Sequence, residues 1–425
     1  MKKIVLSLAS VLVATAFAPE ASAIPAFARQ QGKACSTCHF QHYPALNDYG
    51  RSFKASGFTE MGKQGTIKGD NLSLPEVLNS SLFFKFRYQK TNGSDLSADA
   101  SQASGEWQVP DEFALLMGGR VSNNIGFMLE GQLAAPDAPL VAGFKMPFMY
   151  GVGEGEMKVG LVPFTTDGLG AAYGFELLNT GSVRNVRISE HRSETSAQQY
   201  IGTAAAAQGV ALVVVDPMYY VNVTRYSPHH AGETAGQKMN LTYARVAVTP
   251  TIGEWDVGVG VQAWSGTAAD ATGVDAQTYK ATALDAQAQG AVAGMPLGLY
   301  FTYATAPGSA TATEAGSNFF NSNFDTAGTW TSENPNSKKA TTILAELGVL
   351  PGTATVVLGY RKADNGKSAN SKDDAITIGG TYQFAQNVQL QVMHSTRSKA
   401  GSVGRYDGTA EKGSALTTFM LSAGL

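Results

Sequence analysis

Five consecutive residues, Cys35-Ser36-Thr37-Cys38-His39, carry the sharpest chemical signal in the chain, and they contain both of its cysteines. Two thiols separated by two residues can add across the two vinyl groups of one haem. The next residue, His39, then lies under the iron and binds it axially. Two other chemistries use such a pair. A thioredoxin-type redox disulfide follows a strand in a βαβ pattern, which is missing here. A structural zinc site needs a second ligand pair, and no further cysteine exists to supply it. Covalent haem c is the strong reading, with Cys35 and Cys38 as the attachment points and His39 as the iron ligand.

The second axial position has two nearby candidates. If residues 34–41 are helical, His42 lies three residues from His39 and nearly on its side, so it struggles to reach the opposite haem face. Met61 follows the turn Gly57-Phe58-Thr59 and can fold back across. Its thioether would also raise the potential relative to a second imidazole. Met61 is therefore the tentative second axial ligand, against the alternative of a flexible apolar side chain packed on the haem edge.

These residues need elements to hold them. Leu46, Tyr49 and Phe53 recur at helical spacing, Gly57 is a plausible C-cap, and Gly50 permits close approach. A segment of about 50 residues buries little core alone, so the haem and a docking surface must supply the rest. That surface is expected from the remainder of the chain, where period-2 alternation is sustained. Phe84, Phe86 and Tyr88 oppose Lys85, Arg87 and Gln89. Val257, Val259 and Val261 oppose Gly258, Gly260 and Gln262. Ile376 and Ile378 oppose Thr377 and Gly379, and Val388, Leu390 and Val392 oppose Gln389 and Gln391. The second face carries Gly, Gln, Asn, Thr and isolated charges, as a barrel lumen does, rather than the many Lys and Glu of a water-facing sheet. Charged residues are only 15% of the chain, and Gly is 47 of 425. The net charge of −3 gives no footprint for nucleic acid.

The start reads as a secretory signal: Lys2 and Lys3, an apolar stretch from Ile4 to Ala18, then Ala21-Ser22-Ala23 as a cleavage site before Ile24. No later run of about 18 apolar residues could cross a bilayer as a helix. The last segment alternates Phe419, Leu421, Ala423 and Leu425 on one face, as outer-membrane assembly requires, although such barrels commonly end in Phe. The expected fold is an all-β transmembrane barrel of about 16 antiparallel strands with a small, mainly helical N-terminal haem segment. The divisions are a signal peptide over 1–23, the haem segment over 24–75 and the outer-membrane barrel over 76–425. The stretch Pro163–Gly170 breaks a strand and Gln198–Thr203 resumes one. Between them Arg184, Arg187, Glu190, His191 and Arg192 belong either to a loop folded into the lumen or to a pair of short strands.

The segment from Pro25 to Phe58, with Cys35-Ser-Thr-Cys-His39, Pro44, Leu46, Tyr49-Gly50-Arg51, Phe53 and Gly57-Phe58, resembles the fused monohaem cytochrome–porins of iron(II)-oxidising bacteria. Over the barrel the resemblance is architectural. It implies an oxidoreductase that takes electrons from extracellular Fe(II) and passes them through one haem to a periplasmic carrier such as a soluble cytochrome c. The haem-attachment residues it carries over are Cys35, Cys38 and His39. The alternative is an anion-selective porin whose haem segment is a plug or redox gate. Inward-facing Lys85, Arg87, Arg120, Lys145 and Lys158, with Glu130 among them, serve either reading: they could seat haem propionates, tune a pore or simply line a wet wall. No strong iron site appears. Asp111-Glu112, Glu154/Glu156 and Asp373-Asp374 are loose carboxylate pairs, the last two expected as solvated loop ends. His229-His230 is expected as an exposed loop pair.

Overall fold

The period-2 segments pair with their sequence neighbours, and the last returns to the first. The computed structural model describes residues 25–70, 72–94, 105–134, 140–181, 189–230, 238–269, 276–308, 314–324, 330–369, 371–397 and 413–425. The expected signal peptide, Arg184 and Arg187 lie outside the described residues. The first half of the wall is β1 (Ser80–Thr91), β2 (Glu106–Arg120), β3 (Gly126–Gln132) and β4 (Val141–Lys145, continued as Phe148–Gly151). It goes on through β5 (Lys158–Thr166), β6 (Ala207–Asp216), β7 (Tyr219–Ser227) and β8 (Leu241–Val248, continued as Thr251–Ile252). The second half is β9 (Trp255–Ser265), β10 (Ala281–Val292), β11 (Met295–Ala306) and β12 (Lys338–Leu350). It ends with β13 (Ala354–Asn365), β14 (Ala375–Ala385), β15 (Val388–Arg397) and β16 (Ala415–Gly424).

All sixteen run antiparallel, and β16 closes on β1 from Leu416↔Thr91 to Gly424↔Phe83. Closure removes the open edges that would leave backbone N–H and C=O groups unsatisfied in lipid. Leu161, Leu212, Val246, Val261, Ile343, Leu358, Ile378 and Phe419 all stand outward and exposed. An apolar belt of that extent is a liability in water, whereas lipid removes its cost. The chain is a closed β-barrel of the outer-membrane type.

The two ends differ. Turns such as 217–218, 253–254, 293–294 and 386–387 join strands at one end, and long connections join them at the other. By the usual rule the short-turn end is periplasmic and the long-loop end extracellular.

The lumen is filled from both ends. From the periplasmic side enters an N-terminal plug with three short helices, α1 (Pro25–Gln31), α2 (Cys35–Cys38) and α3 (Asp48–Ala55). It is bonded to the wall all round. Arg29 donates to the Ser80 carbonyl at 2.5 Å, Cys35 N–H to Gln386 Oε1 at 2.9 Å, and Arg51 pairs with Asp256 at 2.6 Å. From the other side residues 167–181 and 189–206 turn inward, with α4 (Arg192–Thr195) and α5 (Ala197–Ile201) against the wall. Ala197 N–H donates to Thr302 Oγ1 at 2.8 Å and Thr342 Oγ1 to the Thr195 carbonyl at 3.0 Å.

The inward-loop reading therefore holds, with two corrections. Pro163 to Thr166 remain inside β5, since β5's pairing with β6 continues through Pro163↔Val210. Residues 197–201 form a helix rather than a resumed strand, because Ser196 caps it through Gln199 N–H and the loop packs indoors with no strand edge to join.

Candidate functional site

Plug and loop meet around a cavity of about 290 Å³ inside the barrel. Cys38 and His39 lie on its wall, and so do Phe27 of α1, Phe53 of α3 and Phe58 just beyond it. The three rings pack on one another, Phe27 stacked on Phe58 at 4.9 Å and edge-on to Phe53 at 5.3 Å, so the plug presents a rigid aromatic floor. Cys35 is buried beside Ala28, and no disulfide joins it to Cys38.

The helix expected over 34–41 is shorter than that. α2 stops at Cys38, and His39 leaves it in extended conformation at φ −113°, ψ 137°. His39 then bridges Leu46 across a tight loop. Its Nδ1 lies 3.1 Å from the Ala45 carbonyl oxygen, which can only accept. Nδ1 donates in that contact, so a backbone carbonyl orients the ring, as such carbonyls orient metal-binding imidazoles. Burial pushes the Cys35 thiol up to about 12, and burial likewise raises Cys38. Neither is the acidified thiol that a disulfide-exchange nucleophile needs. Two thiols, one oriented imidazole and an apolar chamber beside them fit a covalently held haem.

α3 is held against this motif. Asn47 caps it by accepting from Gly50 N–H at 2.9 Å and donates to the Thr37 carbonyl at 3.0 Å. A Cβ at Gly50 would stand only 2.1 Å from the Cys38 carbonyl oxygen, so a glycine is what lets helix and motif touch. Gly57 ends the segment at φ +72°, with Phe58 N–H donating to the Phe53 carbonyl, as a C-cap does. Leu46, Gly50 and Phe53 line the cavity. Tyr49 points to Gln31 instead.

His42 is fully buried with both nitrogens engaged: Nδ1 at 2.7 Å from the Tyr43 carbonyl and Nε2 at 2.8 Å from Glu346 Oε1. Burial alone would lower its pKa, but the Glu346 carboxylate outweighs that and holds it above the ordinary imidazole value. Its helix-based relation to His39 does not exist; it moors the loop to β12. Met61 is half-buried and is not among the residues lining the cavity.

The basic series separates by position. Lys85 and Lys145 line the cavity, Lys85 paired with Glu112 at 2.5 Å and Lys145 donating to the Tyr173 carbonyl at 2.8 Å. Arg87 pairs with Asp111 and Glu190, each at 2.5 Å. Arg120 holds the plug instead, donating to the Thr59 carbonyl at 2.9 Å, and Lys158 stands at the periplasmic start of β5 outside the lining. Glu130 joins the lining.

Two expectations about exposure fail. His229 and His230 are buried, and His230 meets Thr165 Oγ1 of β5 at 2.8 Å through Nδ1 and the Val141 carbonyl of β4 through Nε2. Asp373 and Asp374 are also buried, since Asp373 lies between Arg361 at 2.8 Å and Arg397 at 2.9 Å. Glu154 and Glu156 are exposed, as expected. Among the described residues no group of three or more His, Cys, Asp or Glu is arranged to hold a metal ion.

Composition and spacing gave no sign of Glu346, Met128, Met420, Gln389 or Gln391 as neighbours of the motif. Lumen-facing parity marks them as inward, but only closure of the wall sets Met128, Met420, Gln389 and Gln391 around one cavity and brings Glu346 to His42.

No family model matches the chain, and no curated protein matches it. Solved structures similar to it include a double mutant of Rh. blastica porin, at 12% identity and TM-score 0.48, covering 82% of this chain and 100% of that one. Salmonella typhi OmpF in complex with daunomycin gives 12% and 0.48, covering 85% and 100%. OmpT of Vibrio cholerae gives 11% and 0.42, covering 85% and 100%. The barrel assignment stands on the closed hydrogen-bond circuit and the outward apolar belt described above.

Proposed function

We propose that this barrel is an electron conduit, an oxidoreductase in which Fe(II) outside the cell loses one electron and a periplasmic carrier such as a soluble cytochrome c gains it. Haem attached through Cys35 and Cys38 and ligated by His39 would supply the one-electron couple between them. The observation that carries this reading is the placement of Cys38 and His39 on the wall of an apolar chamber enclosed within the lumen.

The chain's own residues support it in three ways. The plug's three packed rings, Phe27, Phe53 and Phe58, give the chamber an apolar floor. Ala45 orients the His39 ring through Nδ1. Lys85 and Lys145 place positive charge on the chamber wall, where the carboxylates of a haem would sit. The filled lumen also favours electron movement over solute flow: inward-facing Arg245, Asp285, Glu346 and Thr302 are fully buried, whereas a water-filled pore would wet them.

Conduction of small anions, with the plug as a gate, is the second reading, and the sixteen-strand barrel with its inward loop favours it. Anaerobic Fe(II) titration of the purified protein, followed by absorbance and by reduction of an added soluble cytochrome c, tests the first reading. Full-length protein with a haem-staining band and stoichiometric reduction is expected. Unchanged haem absorbance under Fe(II), with anion conductance in bilayers that persists in Cys35→Ser, would transfer the assignment to transport.

A further inference from the structure

A second iron ligand would come from a chamber-lining residue off the loop that carries His39, and the moorings of that loop narrow the choice. The loop holding His39 is tied to one arc of the wall. Gln41 donates to the Glu346 carbonyl on β12, Gln383 of β14 donates to the Gln41 carbonyl, and Tyr43 meets Ser422 of β16 at 2.7 Å. Gln386, in the turn between β14 and β15, holds Cys35. Further round the closed circuit, past β1, stand β2 to β4, which contribute Leu116, Met128, Glu130 and Lys145 to the chamber's lining.

From this placement we propose that Met128, on β3, is the second axial ligand of the iron; the proposal rests on the haem reading above. The other nitrogen donors of that region are occupied as ammonium groups. Lys85 is paired with the Glu112 carboxylate at 2.5 Å. Lys145 donates to the Tyr173 carbonyl at 2.8 Å and lies 4.0 Å over the Tyr173 ring, so its nitrogen is already engaged. Among the described residues no histidine besides His39 is in the lining. A thioether needs no deprotonation and suits an apolar site.

Among the described residues two methionines line the chamber, Met128 and Met420. Met420 sits on β16, two residues from Ser422, and so belongs to the arc that moors the His39 loop. Met128 is cross-strand partner to Gly118 and to Lys145. A Cβ at Gly118 would meet the Phe27 ring at 2.8 Å, so α1 packs directly beside the Met128 position and brings the plug to it. A ligand carried on a barrel strand is also rigidly placed.

The test compares Met128→Leu, Met420→Leu and Met61→Leu in full-length, detergent-purified protein. Leu keeps volume and apolarity while removing the sulfur. Oxidised protein is examined for the sulfur-to-iron charge-transfer absorption and for the strongly shifted methionine methyl resonance. Reduced protein is examined for carbon monoxide binding. The expected result is loss of both sulfur signals and gain of carbon monoxide binding in Met128→Leu alone, with a six-coordinate, two-nitrogen spectrum in Met128→His. Sulfur signals that survive in Met128→Leu, or their absence from the parent protein with haem attached, overturn the assignment. Should Met128→Leu fail to fold, as judged by its gel mobility before and after heating, Met128→Gln replaces it under the same criteria. A parent protein without covalent haem overturns the haem reading itself, which the staining gel reveals separately.

Discussion

Replacing Gly50 by alanine tests whether the contact between α3 and the thiol motif sets the site. The new Cβ would be placed 2.1 Å from the Cys38 carbonyl oxygen and 3.1 Å from Leu46 Cδ2. The first neighbour is backbone, so it cannot rotate away, and α3 must retreat by roughly 1 Å to reach ordinary contact. That retreat strains or breaks two bonds that tie the elements together, Asn47 N–H to the Cys38 carbonyl at 3.0 Å and Asn47 Nδ2 to the Thr37 carbonyl at 3.0 Å. Overpacking costs about 1–3 kcal/mol and each lost hydrogen bond about 1 kcal/mol. A net local destabilisation of about 3 kcal/mol follows, which raises the population of the opened plug roughly 100-fold. The sixteen-strand circuit is untouched, so barrel stability should not change. Hydrogen exchange with mass spectrometry reads the two regions separately. Peptides over 35–58 should lose protection, peptides from β6 to β13 should keep it, and haem incorporation should fall. Gly168→Ala, where a Cβ meets nothing within 4 Å, serves as the control. Protection over 35–58 equal to the parent's in Gly50→Ala would refute the reasoning.

Three further outcomes are expected. Cys35→Ser and Cys38→Ser should leave at most one thioether to the haem, so that acid-acetone extraction or denaturing gels show weakened or absent covalent stain while the barrel still migrates as folded. His42→Ala leaves Glu346 buried without its partner and should destabilise the plug by about 3–5 kcal/mol, seen as protease cleavage within 39–46. The pH dependence has a definite sign: His42's pKa is raised on folding, so the stabilisation is full below the ordinary imidazole pKa of about 6.5 and fades as pH rises through the higher folded value. Plug protection that grows with pH over that window would contradict this. Finally, Ile378→Arg places a charge on the outward belt and should cost about 2–4 kcal/mol at the bilayer midplane, measured by urea unfolding in liposomes, whereas Thr377→Ser on the inward face should be nearly neutral.

Much of this protein is determined by local pattern. Strand alternation is a property of each segment alone, since Val257, Val259 and Val261 share a face wherever that strand lies; this is why the barrel and its inward and outward faces were legible. The thiol spacing is equally local, because Cys35, Cys38 and His39 share one short turn of chain, and the helix bearing Phe53 with its cap at Gly57 followed from the same short-range rules. What the chain's order conceals is which distant residues become neighbours. His42 and Glu346 are more than 300 positions apart and meet only because β12 closes beside the plug. The burial of Asp373, which looked like a surface residue, depends on Arg361 of β13 and Arg397 of β15 meeting it from two other strands. The helical relation of His42 to His39 failed because α2 ends at Cys38, where the Ala45 carbonyl and the wall's hydrogen bonds compete successfully with another helical turn. Covalent chemistry is written in adjacent residues and can be seen there. The chamber around it, and which strands' side chains line that chamber, are decided by ring closure of sixteen strands, a long-range constraint that no single segment contains.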